Sequence, residues 1–248
     1  MTIFKDHFSR QSDIYVKYRP HYPESLYAYL SSFTNEHKLA WDCGTGNGQA
    51  AIGLAKVYDK VIATDPSEQQ IKNCIPNEKV KYLVEKAEHT SIESNSVDLI
   101  TIANALHWFD FDTFYKEANR VLKYNGIIAA WSYCLPSVSP EIDEIINHFH
   151  YITLNDYWLP ENRLVEKKYA TVPFPFEQID SPVFYSEKIM NLKDFISYLN
   201  TWSAVQRFID INKFNPTEEL QIEIMKIWNK TDAEKKVTWE LTLKVGRV

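Results

Sequence analysis

Glycine is scarce in this sequence: six residues in 248, four of which, Gly44, Gly46, Gly48 and Gly53, crowd into one ten-residue stretch. Scarcity elsewhere excludes glycine-rich repeats and flexible low-complexity linkers, while the crowding demands a local cause. Cysteine is equally sparse. Cys43, Cys74 and Cys134 are odd in number and far apart, which excludes a disulfide framework and a Cys-x-x-Cys metal site and fits a reducing compartment. No apolar run approaches the roughly 20 residues of a membrane span. Met1 to Arg10 carries charge where a secretory signal has an apolar stretch, so a cytoplasmic location is expected. Positive charge is in deficit, with 27 Lys and Arg against 33 Asp and Glu. That balance argues against nucleic acid as a partner, because Lys and Arg supply most of the affinity for a polyanion.

Aromatic residues, by contrast, are plentiful: 15 Tyr, 13 Phe and 7 Trp are enough both to fill a core and to line a small-molecule pocket. The expected partner is therefore a small molecule, with neither membrane nor nucleic acid; the sequence carries no signal for an oligomeric state. Length and the absence of repeats fit a single domain over 1–248, divided into an N-terminal arm and helix (1–36), a core (37–133) and an insertion with closing strands (134–248).

Hydrophobic rhythm sets the architecture. Strands are expected at Leu39–Asp42, Lys60–Asp65, Val80–Val84, Val97–Ala103 and Ile127–Trp131, with helices at Ala50–Val57, Ser67–Cys74 and Phe111–Lys123 between them and Asn125-Gly126 as a stop. Strands alternating with helices imply crossovers and a parallel sheet, an α/β fold of Rossmann type. Beyond Tyr133 the alternation breaks. Helices are expected over Pro140–Leu154, Leu192–Phe208 and Pro216–Trp228, an extended strand over Phe176–Met190, and a half-buried strand over Val237–Val245, giving a helical insertion before a closing hairpin.

The glycines fall in Asp42-Cys43-Gly44-Thr45-Gly46-Asn47-Gly48, where the first strand turns into the first helix and a ligand can approach bare backbone. The dinucleotide fingerprint would need glycine at position 49, which is Gln49, and no Gly-Lys-Ser or Gly-Lys-Thr follows to make a P-loop. An acid beside the turn repels a pyrophosphate but suits S-adenosylmethionine (SAM), which carries an ammonium group and a cationic sulfur. Asp65 ends the second strand about 20 residues after the first glycine, the place where a carboxylate accepts hydrogen bonds from ribose hydroxyls.

Asp42 to Gln49, Asp65-Pro66-Ser67, Ala87-Glu88 and Ser96-Val97-Asp98-Leu99-Ile100 resemble the successive motifs of class I SAM-dependent methyltransferases. Tyr15-x-x-Tyr18-Arg19-Pro20-x-Tyr22-Pro23, Ala105-Leu106-His107-Trp108-Phe109-Asp110, Trp202-Ser203 and Trp239-Glu240-Leu241 are similar to the type 11 branch that includes trans-aconitate methyltransferases. The likeness covers residues 8–133 and is patchy afterwards. It implies a mostly parallel seven-stranded sheet with helices on both faces and a helical lid, SAM as cofactor, and adenine beside Ala87 and Glu88.

Candidate cofactor contacts are Tyr18, Arg19, Asp42, Gly44, Thr45, Gly46, Gly48, Gln49, Asp65, Pro66, Ser67, Ala87, Glu88, Asn104 and His107. Candidate substrate contacts are Tyr15, Arg19, Tyr22, Trp108 and Trp202. His107 follows the fourth strand and is the candidate general base, if the acceptor must lose a proton at all. Arg19 could grip the SAM carboxylate or an acidic substrate through its guanidinium fork, and with the branch resemblance, which implies such a substrate, O-methylation of a carboxylate is the expected reaction. No metal site is expected: His148 and His150 are two apart in a helical stretch and point to different sides. A SAM-binding protein without catalysis, a nucleic-acid methyltransferase and a nicotinamide-dependent oxidoreductase remain open.

Overall fold

Five parallel strands order the N-terminal half of the computed structural model, which describes residues 18–248. Tyr15 lies outside the described residues. Helix α1 (Glu24–Ser31) leads into β1 (Leu39–Cys43), after which α2 (Gln49–Leu54), β2 (Lys60–Asp65), α3 (Glu68–Lys72), β3 (Val80–Val84), β4 (Val97–Ala103), α4 (Phe111–Val121) and β5 (Leu122–Tyr133) follow. The strands pair in parallel in the order β3-β2-β1-β4-β5. β4 is buried along nearly its whole length, as an apolar strand at the centre of a sheet covered on both faces must be. In β1 the pleat splits neighbours between faces: Ala40 joins the core formed with Leu26, Leu30 and Leu54, and Trp41 the opposite one with Ile100, Phe114 and Val121.

The C-terminal half contributes α5 (Pro140–His148), α6 (Asn162–Glu166), β6 (Glu177–Ile179), β7 (Phe184–Met190), α7 (Leu192–Asn200), α8 (Ser203–Asn212), α9 (Thr217–Trp228) and β8 (Lys235–Arg247). β8 runs antiparallel to β5 on one edge and to β6 and β7 on the other, for Leu241 pairs with both Tyr133 and Phe184. Since β6 and β7 lie end to end, eight segments fill seven positions, and β8 alone runs against the rest. Among the described residues no helix is long and apolar enough to cross a membrane.

Several elements depart from the sequence expectation for local reasons. The strand expected over Phe176–Met190 breaks between β6 and β7 where Pro182 withdraws a backbone donor. The helix expected over Leu192–Phe208 divides at Thr201-Trp202, and Trp202, extended at φ −70° and ψ 132°, starts α8 afresh. α5 stops at His148 and a π-helical turn, Phe149–Thr153, takes over. Asn125-Gly126 is not a stop: β5 already runs through it, with Asn125 at φ +63° and a register shift against β4 between Val97 and Leu99, the mark of a bulge. The helical insertion does not precede a closing hairpin either. α7 to α9 lie between β7 and β8, the two strands that pair.

Candidate active site

The carboxyl ends of β1, β2, β4 and β5 open into a cleft of about 1020 Å³, roofed by residues from the C-terminal half. Its floor is the glycine turn. Gly44 sits at φ +68°, and a Cβ there would lie 2.7 Å from the Ala105 Cβ, so β1 and the β4 exit can meet only over a bare backbone. Gly46, at φ +55°, has nothing within 4 Å of where its Cβ would stand: the turn presents open space, a cradle that any side chain would fill. The Gly46 N–H donates to Asp65 Oδ2 and the Ser67 N–H to Asp65 Oδ1, each at 2.9 Å. Asp65 thereby stitches the turn to the β2–α3 connection and retains acceptor capacity towards the cleft.

Asp42, fully buried, supports the turn from behind. It accepts from the hydroxyls of Thr45 and Thr101, and burial lifts its carboxyl to about 6 although those hydrogen bonds pull it down. Asp42 therefore does not line the cleft. Neither do Gly48, which packs on the Tyr82 ring, and Tyr18, which packs against the core. The other candidate cofactor residues do line it: Arg19, Gly44, Thr45, Gly46, Gln49, Asp65, Pro66, Ser67, Ala87, Glu88, Asn104 and His107. One further residue went unnoticed in the sequence. Asn47 Nδ2, like Gln49 Nε2, is buried with no hydrogen-bond partner among the described residues, two amide donors beside the turn. Orphaned donors, open backbone and an acidic side chain together fit the carboxylate, hydroxyls and positive charges of SAM.

The opposite wall follows β4. Asn104 takes φ +54°, tolerated by asparagine, and donates its N–H to the Trp131 carbonyl at 2.7 Å, bending the chain so that Ala105 and His107 to Asp110 face the cleft. Glu88 Oε1 accepts the Asp110 N–H at 3.0 Å, tying the Ala87-Glu88 loop to that segment. His107 is buried with Nδ1 2.9 Å from the Tyr169 hydroxyl. Burial pushes its imidazole down to about 3 and the Tyr169 phenol up, so both are neutral over the ordinary pH range. So weak a base suits a hydrogen-bonding contact better than proton abstraction.

The third wall is aromatic. Tyr22, Trp108, Tyr133, Trp158, Tyr198 and Trp202 line it. Arg19 Nη1 donates to the Tyr133 hydroxyl and Nη2 to the Thr201 carbonyl, each at 3.0 Å, with the guanidinium 5.5 Å from the Tyr198 ring centre. Of the candidate substrate residues the structure thus gathers Arg19, Tyr22, Trp108 and Trp202. It adds Tyr133, His150, Trp158, Glu166 and Tyr198, for which the sequence offered little signal; only Tyr133 stood at a strand end, where a site is expected.

Comparison with known proteins agrees with this geometry. Residues 41–130 match the type 11 methyltransferase domain family. The chain is 35% identical to a Dictyostelium discoideum protein named as a methyltransferase, over 95% of this chain and 91% of that one. A Saccharomyces cerevisiae protein named as an S-adenosylmethionine-dependent methyltransferase is 26% identical over 59% of this chain and 54% of its own length. A solved structure from Anaeromyxobacter dehalogenans, described as a type II methyltransferase, matches with a TM-score of 0.87 and 36% identity over 92% of this chain and 97% of that one. A Rossmann-like sheet with a glycine turn of this kind defines a nucleoside-binding α/β enzyme. The chain belongs to the class I SAM-dependent methyltransferases with a type 11 domain.

Proposed function

We propose that this protein transfers the SAM methyl group to an oxygen of a small molecule held in the aromatic part of the cleft. The observation that carries the reading is continuity: one cleft joins the glycine turn to the aromatic wall. When bound, SAM supplies an electrophilic methyl on a cationic sulfur, so the protein's work is alignment and the exclusion of water. Gly46, Asn47, Gln49 and Asp65 hold the cofactor's polar groups, Thr45, Pro66 and Ser67 complete that rim, and Ala87 and Glu88 flank the base. Asn104 and His107 stand between cofactor and acceptor. Tyr22, Trp108, Trp158, Tyr198 and Trp202 orient the acceptor and keep it dry.

The charge of the lining bears on the acceptor. Five carboxylates, Asp65, Glu88, Asp110, Glu161 and Glu166, face two cations, Arg19 and Lys86. Such a field favours cationic SAM and works against a multiply anionic acceptor. O-Methylation of a carboxylate is the second reading, drawn from the likeness to trans-aconitate methyltransferases and from Arg19. The place of Arg19 in the lining supports that second reading, and its bonds to the Tyr133 hydroxyl and the Thr201 carbonyl use two of its five N–H donors.

Calorimetry with S-adenosylhomocysteine, followed by transfer of labelled methyl to a panel of small phenols and carboxylic acids, tests the proposal. The expected result is saturable binding of S-adenosylhomocysteine and label in at least one acceptor. No heat from folded protein would sink it, and binding without transfer across the panel would favour a non-catalytic SAM-binding protein.

A further inference from the structure

The π-helical turn after α5 carries an imidazole that the reading above does not use. His150 lines the cleft while being 6% exposed, and its neighbour in the sequence pattern, His148, faces solvent. Burial, with Arg163 nearby, pushes His150 down to about 4, so the ring is neutral. Its Nδ1 is buried with no hydrogen-bond partner among the described residues, and its Nε2 lies 3.8 Å from Glu166 Oε1, longer than a hydrogen bond. A buried polar group left unmatched opposes folding and persists where it serves a ligand. π-Helical turns of this kind concentrate at functional sites.

The surroundings are built rather than incidental. The ring centre of His150 is 4.7 Å from that of Trp158 and 5.7 Å from that of Trp202, and the Trp158 Nε1–H donates to the His150 carbonyl at 3.3 Å. Glu166 is clamped by Arg163 Nη1 at 2.8 and 2.9 Å, and Arg163 Nη2 is anchored in turn on the Asn155 carbonyl and side-chain oxygen at 2.8 and 2.9 Å. Trp158 and Trp202 meet at 5.7 Å between ring centres with their planes 52° apart, so that with the imidazole they form one continuous aromatic wall of the cleft, with a fixed carboxylate beyond the imidazole. An uncharged planar molecule bearing a hydroxyl matches that wall: its ring packs on the tryptophans and its O–H meets the imidazole.

We propose that His150 is the acceptor-binding residue of the lid and that the acceptor is a phenol-like planar hydroxyl compound, seated against Trp158 and Trp202 with its hydroxyl on the imidazole. The inference rests on the methyltransferase reading and names the acceptor class for that same site.

The test measures binding to the protein loaded with S-adenosylhomocysteine, using 2-naphthol, 2-fluoronaphthalene, which has the same shape without the hydroxyl, and 2-naphthoate, a carboxylate. Wild type is expected to hold 2-naphthol about tenfold more tightly than 2-fluoronaphthalene, as one hydrogen bond to an otherwise unmatched group would give, and more tightly than 2-naphthoate. His150→Phe keeps a flat ring against the tryptophans. It should remove that discrimination, leave S-adenosylhomocysteine affinity unchanged, and hold or raise the melting temperature because a buried unmatched nitrogen is gone. His150→Gln, which restores an amide donor and acceptor, should recover part of the preference. Equal binding of naphthol and fluoronaphthalene, preference for naphthoate, or a preference that survives His150→Phe overturns the inference. A His150→Phe protein too unstable to assay would show the ring to be structural and overturn it as well. Loss of S-adenosylhomocysteine binding by wild type would instead strike the underlying methyltransferase reading, which the same titration reports separately.

Discussion

The two sides of the cleft are made of different materials. On the side of residues 37–133 the surface around the glycine turn is backbone and carboxylate: Gly44 and Gly46 at positive φ, and Asp65 holding two main-chain N–H groups at 2.9 Å. On the side of residues 134–248 it is aromatic side chain, with Trp158, Tyr198 and Trp202 carried on helices and the turns between them. The first surface is dictated by how a strand must turn into a helix over a ligand, which leaves few sequences free to do it. The second depends on which rings an insertion presents, and many choices fold equally well. Cofactor binding and acceptor choice are therefore separable, and substitutions should split along the same line.

The largest effect is expected at Gly44. Gly44→Val places a β-branched residue at φ +68° and drives its Cβ towards Ala105, 2.7 Å away. Left-handed backbone alone costs about 1–2 kcal/mol for such a residue, so S-adenosylhomocysteine affinity should fall about 100-fold or more and the melting temperature should drop. Calorimetry and thermal unfolding read both, and a variant that binds normally would break the comparison. Next comes Asp65→Ala, which removes an acceptor of charge-assisted hydrogen bonds worth about 2 kcal/mol. Affinity for S-adenosylhomocysteine should fall about 30-fold, while 2-naphthol binding to the variant saturated with it stays near the wild-type value.

Across the cleft, Trp158→Ala should act in the opposite sense. Affinity for the acceptor is expected to weaken about tenfold, as losing one aromatic face allows, with S-adenosylhomocysteine affinity changed less than twofold. A loss shared equally by both ligands would mean the two surfaces are coupled.

The smallest effect is electrostatic. His107 is lowered to about 3 from 6.5, so between those values the unfolded chain takes up a proton that the folded one refuses, and stability falls as the pH drops below 6.5. Asp42, raised to about 6 from 3.8, works the other way: the folded state holds the extra proton, and stability is gained as pH falls through that range. His107→Gln removes the first contribution and leaves the second. The stability advantage of wild type over the variant, from urea unfolding, should therefore be greater at pH 7.5 than at pH 5; a constant difference would show that His107 is not held neutral by burial.

The contrast between the two surfaces also explains what could be read without coordinates. Gly44, Thr45, Gly46, Gln49 and Asp65 were legible as cleft residues because spacing after a strand reports backbone geometry directly. Asp42 was placed correctly in the chain but not in the site: nothing in the sequence says that its carboxylate turns back towards Thr45 and Thr101. Asn47 was overlooked because the glycine pattern leaves the position between Gly46 and Gly48 unspecified, although an amide there is itself a signal. His150 was set aside with His148 on the argument that alternate helical residues face apart. That argument removes a metal pair but says nothing about the one that points inward. Trp158 and Tyr198 meet Arg19 and Trp202 only through long-range packing, which periodicity does not carry.

The way the last helices are attached has an evolutionary reading. Residues 191–234 leave the sheet at Met190 and return at Lys235, and those two residues are paired partners on adjacent strands. Such partners stand only about 5 Å apart, so the whole segment begins and ends at nearly the same point. Its length is therefore not set by the register of β7 against β8, which leaves evolution free to vary the segment that carries Tyr198 and Trp202 while that pairing stands.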